Sequence, residues 1–379
     1  MPGGESGGVE QFVLGLVKSL GRLTDGPEEY VVVAHRDAPT WLEPWLGPNQ
    51  RLVVGTPPPG RVRRALRRAS RRSPLATDGF FESLGVVAVH FPYQSFVDCR
   101  LPTIYNPHDL QHRHYPEFFT KEQLAWRETM QSQGCRRADA VAAESEWARQ
   151  DVIRQYGVDP AKVNAIARGA PTELYPPPSE EAVADVRRRL ELPEAFAFYP
   201  AQTWPHKNHL RLVEALELLR TRDGLRVHLV CTGKTTEHWR EIQTRLGELR
   251  LEDQVRHLGY VEPVELRALY RLAQFVVVPS LFEGGGFPLL EAFAERTPVA
   301  CSAATALPET GGDAVLLFDA VSVDGIAEAL RRMTTDEELR ATLQRRGDER
   351  IKHFRWQRTA EAYLDLYRRV ARRAASAAA

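Results

Sequence analysis

Short runs of Val, Ile, Leu and Ala, bounded by Gly, Pro, Asn or Asp, alternate along the chain with stretches whose apolar residues return every three or four positions. A run of the first kind reads as a buried strand and a stretch of the second as an amphipathic helix, so the alternation predicts an α/β protein with parallel sheets covered by helices on both faces. In the first half the pattern predicts strands at Tyr30–Ala34, Gln50–Val54, Val86–Phe91, Pro102–Tyr105, Ala140–Ala143 and Val163–Ile166, with helices near Glu10–Leu23, Lys121–Arg137 and Glu146–Tyr156. In the second half it predicts strands at Ala197–Pro200, Val227–Cys231, Val255–Leu258, Phe275–Val278, Val299–Cys301 and Val315–Phe318. Helices near His209–Thr221, Glu237–Leu249, Pro263–Leu272, Leu289–Arg296, Val323–Thr334 and Asp336–Arg350 alternate with these.

The halves meet at Pro171–Leu192, where Pro176-Pro177-Pro178 reads as a hinge and Ser179–Arg189 as a lead-in helix. The expected division is 1–172, 173–355, and a last helical stretch from Trp356 to Arg372 ending in a frayed Ala-rich tail (356–379). The chain opens on a glycine-rich loop through Gly7-Gly8 that leads directly into a helix. A Rossmann unit carries a strand before such a loop. None precedes it, so either the first sheet is one strand short or the true start lies upstream.

Composition narrows the partners. Fifty Lys+Arg balance fifty Asp+Glu across 379 residues, which removes any global argument for nucleic acid and makes any anion site local. Only Lys18, Lys121, Lys162, Lys207, Lys234 and Lys352 are lysines, so a lysine in a chemically suggestive place carries some weight. Cys99, Cys135, Cys231 and Cys301 show no paired spacing, and no apolar run approaches the roughly 18 to 20 residues that cross a bilayer. A cytoplasmic location follows as an expectation. The run Arg61, Arg63, Arg64, Arg67, Arg68, Arg71 and Arg72 is either a solvated segment or a peripheral contact with an anionic membrane face or polyanionic acceptor.

Three segments that each follow a predicted strand carry candidate chemistry. In Glu283-Gly284-Gly285-Gly286-Phe287-Pro288-Leu289-Leu290-Glu291, the glycines permit close approach of a ligand and the helix start offers amides to an anion such as a diphosphate. Two carboxylates flanking that cradle suit a ligand rich in hydroxyls; the alternative is a plain glycine turn with two solvated glutamates. Lys207, in Trp204-Pro205-His206-Lys207-Asn208, stands at the edge of the sheet where a point charge neutralises a leaving phosphate, or else is a surface lysine. His108-Asp109 at a third strand end suits orientation of a sugar hydroxyl, with a self-bonded polar loop or a His108/His112/His114 metal site as other readings. No Asp-x-Asp occurs, which argues against metal-and-diphosphate chemistry built on such a pair. No G-x-G-x-x-G followed by a ribose-binding acid occurs either, which disfavours a nicotinamide dehydrogenase.

The E-x7-E spacing of Glu283 and Glu291 around Gly284–Gly286 resembles the signature of the retaining family-4 glycosyltransferases of the GT-B fold. The Gly7-Gly8 loop, His108-Asp109, Tyr156-Gly157-Val158, the Lys207 segment, His257-Leu258-Gly259-Tyr260-Val261 and Leu307-Pro308-Glu309 follow in the family's order. The resemblance implies two facing Rossmann-like domains with an interdomain cleft. The first would hold the acceptor (a glycan, a lipid-linked molecule or a small molecule), the second a nucleoside diphosphate sugar, and the last helix would cross back to the first. It implies hexosyl transfer in glycan biosynthesis, mannosyl transfer being one option, without metal or other cofactor.

Carried onto these residues, Glu283 would contact sugar hydroxyls, Glu291 the ribose and Lys207 the diphosphate. The amides around Gly285 and Gly286 would help hold the phosphates, and Gly284 and Phe287 would belong to the same donor site. Gly259, Tyr260 and Val261 would border the base, His108 would approach the sugar, and Gly7 and Gly8 would lie near diphosphate or acceptor. The family commonly has an Arg six positions before the phosphate lysine, where this chain has Ala201. Phosphate neutralisation then leans on Lys207, helped by His206 or Arg168. A catalytically silent GT-B binding subunit and a same-fold sugar-nucleotide epimerase are the competing readings.

Overall fold

The computed structural model describes residues 7–34, 40–55 and 79–378, with backbone alone for 374–378. The described chain divides into two compact units, one running to Gly169 and resuming at Trp356, the other spanning Ala170–Arg355. The arginine run at 61–72 lies outside the described residues.

In the second unit, strands β7 (Ala197–Pro200), β8 (Leu229–Thr232), β9 (Val255–His257), β10 (Phe275–Val278), β11 (Val299–Ser302) and β12 (Val315–Phe318) form one parallel sheet. Its order is β12-β11-β10-β7-β8-β9, the doubly wound order in which the direction of strand addition reverses between the first and fourth strands. The strands β7, β8, β10 and β11 are almost wholly buried, as apolar runs covered on both faces must be. The flanking helices begin where their sequences offer caps: Ser179 accepts from the Ala182 amide, Ser322 from Gly325 and Asp336 from Leu339.

In the first unit, β1 (Tyr30–Ala34) and β2 (Gln50–Val54) pair in parallel, and β3 (Val89–Phe91), β4 (Thr103–Tyr105), β5 (Ala140–Ala143) and β6 (Val163–Ala165) form a second parallel sheet in chain order. The helix Gly8–Leu20 packs against the final helix, Trp356–Ala378. The contact is closest at Gly15, where a Cβ would stand 2.1 Å from the Trp356 ring; only glycine fits there.

The strand expected from Val86 begins at Val89, because Gly85 adopts a left-handed conformation and Val87 is 72% exposed. The last helix continues past Arg372 into the alanines, the residues of highest helix propensity. Two short helices, Gln111–His114 and Leu307–Gly311, have too few residues to show a period and were not expected.

Candidate functional site

The reversal point of the second sheet lies between β7 and β10, which are hydrogen-bonded neighbours. Crevices at such points, beyond the carboxyl ends of the strands, are where open α/β sheets take ligands. The segment after β7 carries Lys207 and the segment after β10 carries Glu283, and their side chains meet there with Lys207 Nζ 2.6 Å from Glu283 Oε1. Their side chains are 18% and 11% exposed, so the pair is accessible to a ligand.

A buried polar frame holds both segments. Asn208, at φ +62°, donates through Nδ2 to the Pro279 carbonyl at 2.9 Å and the Ala320 carbonyl at 2.8 Å. The Leu281 amide donates to the His206 carbonyl, and the Tyr199 hydroxyl lies 2.7 Å from the Lys207 carbonyl and 3.2 Å from Ser280 Oγ. Ser280 Oγ in turn donates to Glu283 Oε1 at 2.7 Å. Burial pushes the Tyr199 hydroxyl well above its ordinary pKa, so it stays a donor at every working pH.

Gly284, Gly285 and Gly286 form the turn into the helix Phe287–Ala294. Gly286 has φ +66°, the left-handed conformation that favours glycine, and a Cβ on it would press on the end of the Leu307 side chain at 3.0 Å. Thr310 donates to the Gly285 carbonyl at 3.2 Å, while Thr305 Oγ1 accepts the Glu283 amide at 2.9 Å. Phe287 is buried at the helix start, and Glu291, one turn on and half-buried, accepts from the Tyr270 hydroxyl at 2.7 Å. Burial and the neighbouring Glu291 raise the Tyr270 pKa well above ordinary. Gly259, at φ +72°, gives its carbonyl to the Gly233 amide at 2.7 Å, which ties the Gly259–Tyr260–Val261 turn to the end of β8; Tyr260 is 52% exposed.

His108 follows β4 in the first unit; Gly7, at φ +52°, and Gly8 lie at the start of that unit's first helix, Gly8–Leu20. His108 contacts Glu144 through Nδ1 at 2.5 Å and the Pro92 carbonyl through Nε2 at 2.7 Å. The three histidines of this loop diverge, His108 to Glu144, His112 to Glu128 and His114 to Asp151. Arg168 bonds Glu144 at 2.9 Å within the first unit.

A lysine and a carboxylate meet beside a glycine turn at the reversal point of one parallel α/β unit, a second such unit shares the chain, and similarity to known proteins gives the class as a GT-B glycosyltransferase. Residues 6–174 match the model described as Glycosyltransferase Family 4, and 184–350 match Glycosyl transferases group 1. The O-antigen chain mannosyltransferase B of Escherichia coli is 30% identical over 264 residues, 69% of this chain and 68% of that protein. A D-inositol 3-phosphate glycosyltransferase of Corynebacterium glutamicum is 32% identical over 287 residues, 71% of this chain and 66% of that protein. Among solved structures, HepE of Anabaena in complex with UDP and glucose superposes with TM-score 0.73 at 19% identity, covering 96% of both chains. WaaG, a glycosyltransferase involved in lipopolysaccharide biosynthesis, gives 0.68 at 14% identity, covering 95% of this chain and 96% of that one. The chain belongs to glycosyltransferase family 4 and has the GT-B fold.

Several residues around these groups escaped sequence reasoning. Tyr199, Ser280, Thr305 and Thr310 are single polar residues within apolar or loop context. The one available signal was their place at or beyond strand ends.

Proposed function

We propose that the protein is a retaining hexosyltransferase that takes its sugar from a nucleoside diphosphate donor held by the second unit and passes it to an acceptor hydroxyl held by the first. The observation that carries this reading is the meeting of Lys207 and Glu283 at the reversal point of the second sheet, beside the Gly284–Gly286 turn. Lys207 and the turn amides would neutralise the diphosphate as it leaves, Glu283 would accept from sugar hydroxyls, and Glu291 would accept from the ribose. Gly259, Tyr260 and Val261 would border the base.

The transition state in this reading is an oxocarbenium-like sugar beside a departing diphosphate, which cations and amides stabilise. The C1–O bond to phosphate breaks as the acceptor oxygen bonds C1 on the same face, and the leaving phosphate oxygen takes the acceptor proton. The protein supplies no covalent nucleophile and uses no metal. Support for a nucleotide-sugar donor comes from HepE, solved with UDP-glucose, and for a hexose in glycan assembly from the mannosyltransferase relative. A cytoplasmic setting accords with four free thiols.

The test is product analysis with UDP- and GDP-hexoses. Transfer or slow donor hydrolysis with retained anomeric configuration is expected by proton NMR, and Lys207→Ala should lower turnover about 10²- to 10³-fold, the range for losing one such stabilising group. Inverted product, epimerised donor, or a Lys207→Ala rate within a few-fold of wild type contradicts the reading.

A further inference from the structure

Each strand of the first unit's four-stranded sheet delivers one polar group at its carboxyl end, and the groups join in strand order. Pro92 follows β3, His108 follows β4, Glu144 follows β5 and Arg168 follows β6. The Pro92 carbonyl lies 2.7 Å from His108 Nε2, Glu144 Oε1 lies 2.5 Å from His108 Nδ1, and Arg168 Nη1 donates to that same carboxylate oxygen at 2.9 Å. The side chains of His108, Glu144 and Arg168 are 4%, 2% and 9% exposed. Burial raises the Glu144 pKa, but the charge of Arg168 and then His108 outweigh it and hold the carboxyl below its ordinary value, so Glu144 is an acceptor.

A carbonyl oxygen also only accepts. Both ring nitrogens of His108 therefore face acceptors, the ring is a double donor, and it keeps no lone pair with which to take a proton from a substrate. What the ring secures is its own backbone. His108 has φ +61°, and the Asp109 amide donates to the Pro107 carbonyl at 2.9 Å. Together these make a γ-turn of the rare positive-φ kind centred on His108. Strain of this sort persists where surrounding contacts over-determine it, and it concentrates at functional sites.

We propose that Glu144, braced by Arg168, is a positioning residue for glycosyl transfer: it holds His108 as a double donor and thereby fixes the strained turn at 107–109, so that His108 acts through that turn and not as an acid or base. The inference rests on His108 belonging to the transfer site, and its test separates the two. Wild type, Glu144→Gln, Glu144→Asp, His108→Ala and the Glu144→Gln/His108→Ala double variant are compared by donor kinetics, melting, and 15N NMR of the imidazole.

The expected result for Glu144→Gln is a fall in kcat on the order of 10- to 100-fold, the range for removing the partner that orients a functional histidine. Donor KM should stay within about two-fold. Glu144→Asp should recover part of the rate, and the double variant should be no slower than His108→Ala alone. In wild type both His108 nitrogens should give protonated-type 15N shifts, and in Glu144→Gln one should lose its hydrogen. Additive losses, a wild-type kcat in Glu144→Gln, or a bare ring nitrogen in wild type overturns the proposal. If His108→Ala transfers at the wild-type rate, the reading of His108 fails instead, and the 15N shifts still decide whether Glu144 holds the ring. Should Glu144→Gln prove unfolded by melting, Glu144→Asp carries the same comparison.

Discussion

Each unit places basic and acidic side chains together at the carboxyl ends of parallel strands, yet the two clusters differ in kind. Lys207 and Glu283 are 18% and 11% exposed, whereas His108, Glu144 and Arg168 are 4%, 2% and 9% exposed. Topology accounts for the difference. β7 and β10 flank a reversal of the sheet, where the connections leave in opposite directions and open a crevice. β4, β5 and β6 follow one another without reversal, so the groups at their ends pack side by side and close over each other. An open pair exchanges its partner for a ligand at small cost; a closed one is locked, because separating buried charges leaves them without water.

That contrast is testable, first and most strongly by deleting the carboxylate from each cluster. Glu144→Ala leaves buried Arg168 without its counter-charge and His108 without its hydrogen-bond partner, and should destabilise the protein by about 3–5 kcal/mol. Glu283→Ala, at a partly open pair, should cost no more than about 1 kcal/mol. Urea unfolding of the two variants gives the comparison, and equal losses would erase the distinction drawn between the units.

Acid titration gives a second, intermediate effect, shared by both units. Burial lowers the pKa of His90 in the first unit to about 4 and of His209 in the second to about 3, against an ordinary 6.5. Between those values and 6.5 the unfolded chain binds protons that the folded chain does not. Stability is therefore full above about pH 6.5 and falls as pH drops, by up to about 1.4 kcal/mol per pH unit for each histidine. His209→Phe should flatten the melting temperature between pH 6.5 and 4.5 relative to wild type; an unchanged slope would remove His209 from the acid response.

The smallest expected effect sharpens the description of the second unit. Gly286→Ala places a Cβ at φ +66° and 3.0 Å from Leu307, and should cost about 1–2 kcal/mol. In the same variant nucleoside diphosphate binding should weaken, because the turn amides shift. Gly157, also left-handed but with nothing within 4 Å of its added Cβ, provides the control: Gly157→Ala should leave that binding unchanged, as isothermal titration would show.

Much of this was legible in the sequence because it is local. The strand runs, the E-x7-E spacing and the glycine turn are each contained within a few tens of residues, and the apolar period places Lys207 and Glu283 beyond strand ends without knowledge of the sheet order. Their approach to 2.6 Å depends on β7 and β10 being neighbours, which no period encodes. Glu144 shows the limit more sharply. It lies 36 residues from His108 and 24 from Arg168, between an apolar strand and the cap of a polar helix start, and only the register of β4, β5 and β6 brings the three together. Arg168, read from its sequence as one of two candidate helpers of Lys207 at the phosphate, is engaged there with Glu144. The left-handed residues Asn208 and Thr305 were equally out of reach, since non-glycine residues rarely signal a positive φ.

The most direct test of the central claim, that the second unit binds the nucleotide part of a donor through Lys207, is calorimetric titration of UDP, GDP and ADP into wild type, Lys207→Ala and His108→Ala. Wild type should bind at least one nucleoside diphosphate, Lys207→Ala should bind it at least about tenfold more weakly, a loss of some 1.4 kcal/mol, and His108→Ala should bind it as wild type does. Binding that is absent from wild type, or unchanged by Lys207→Ala, would contradict the account.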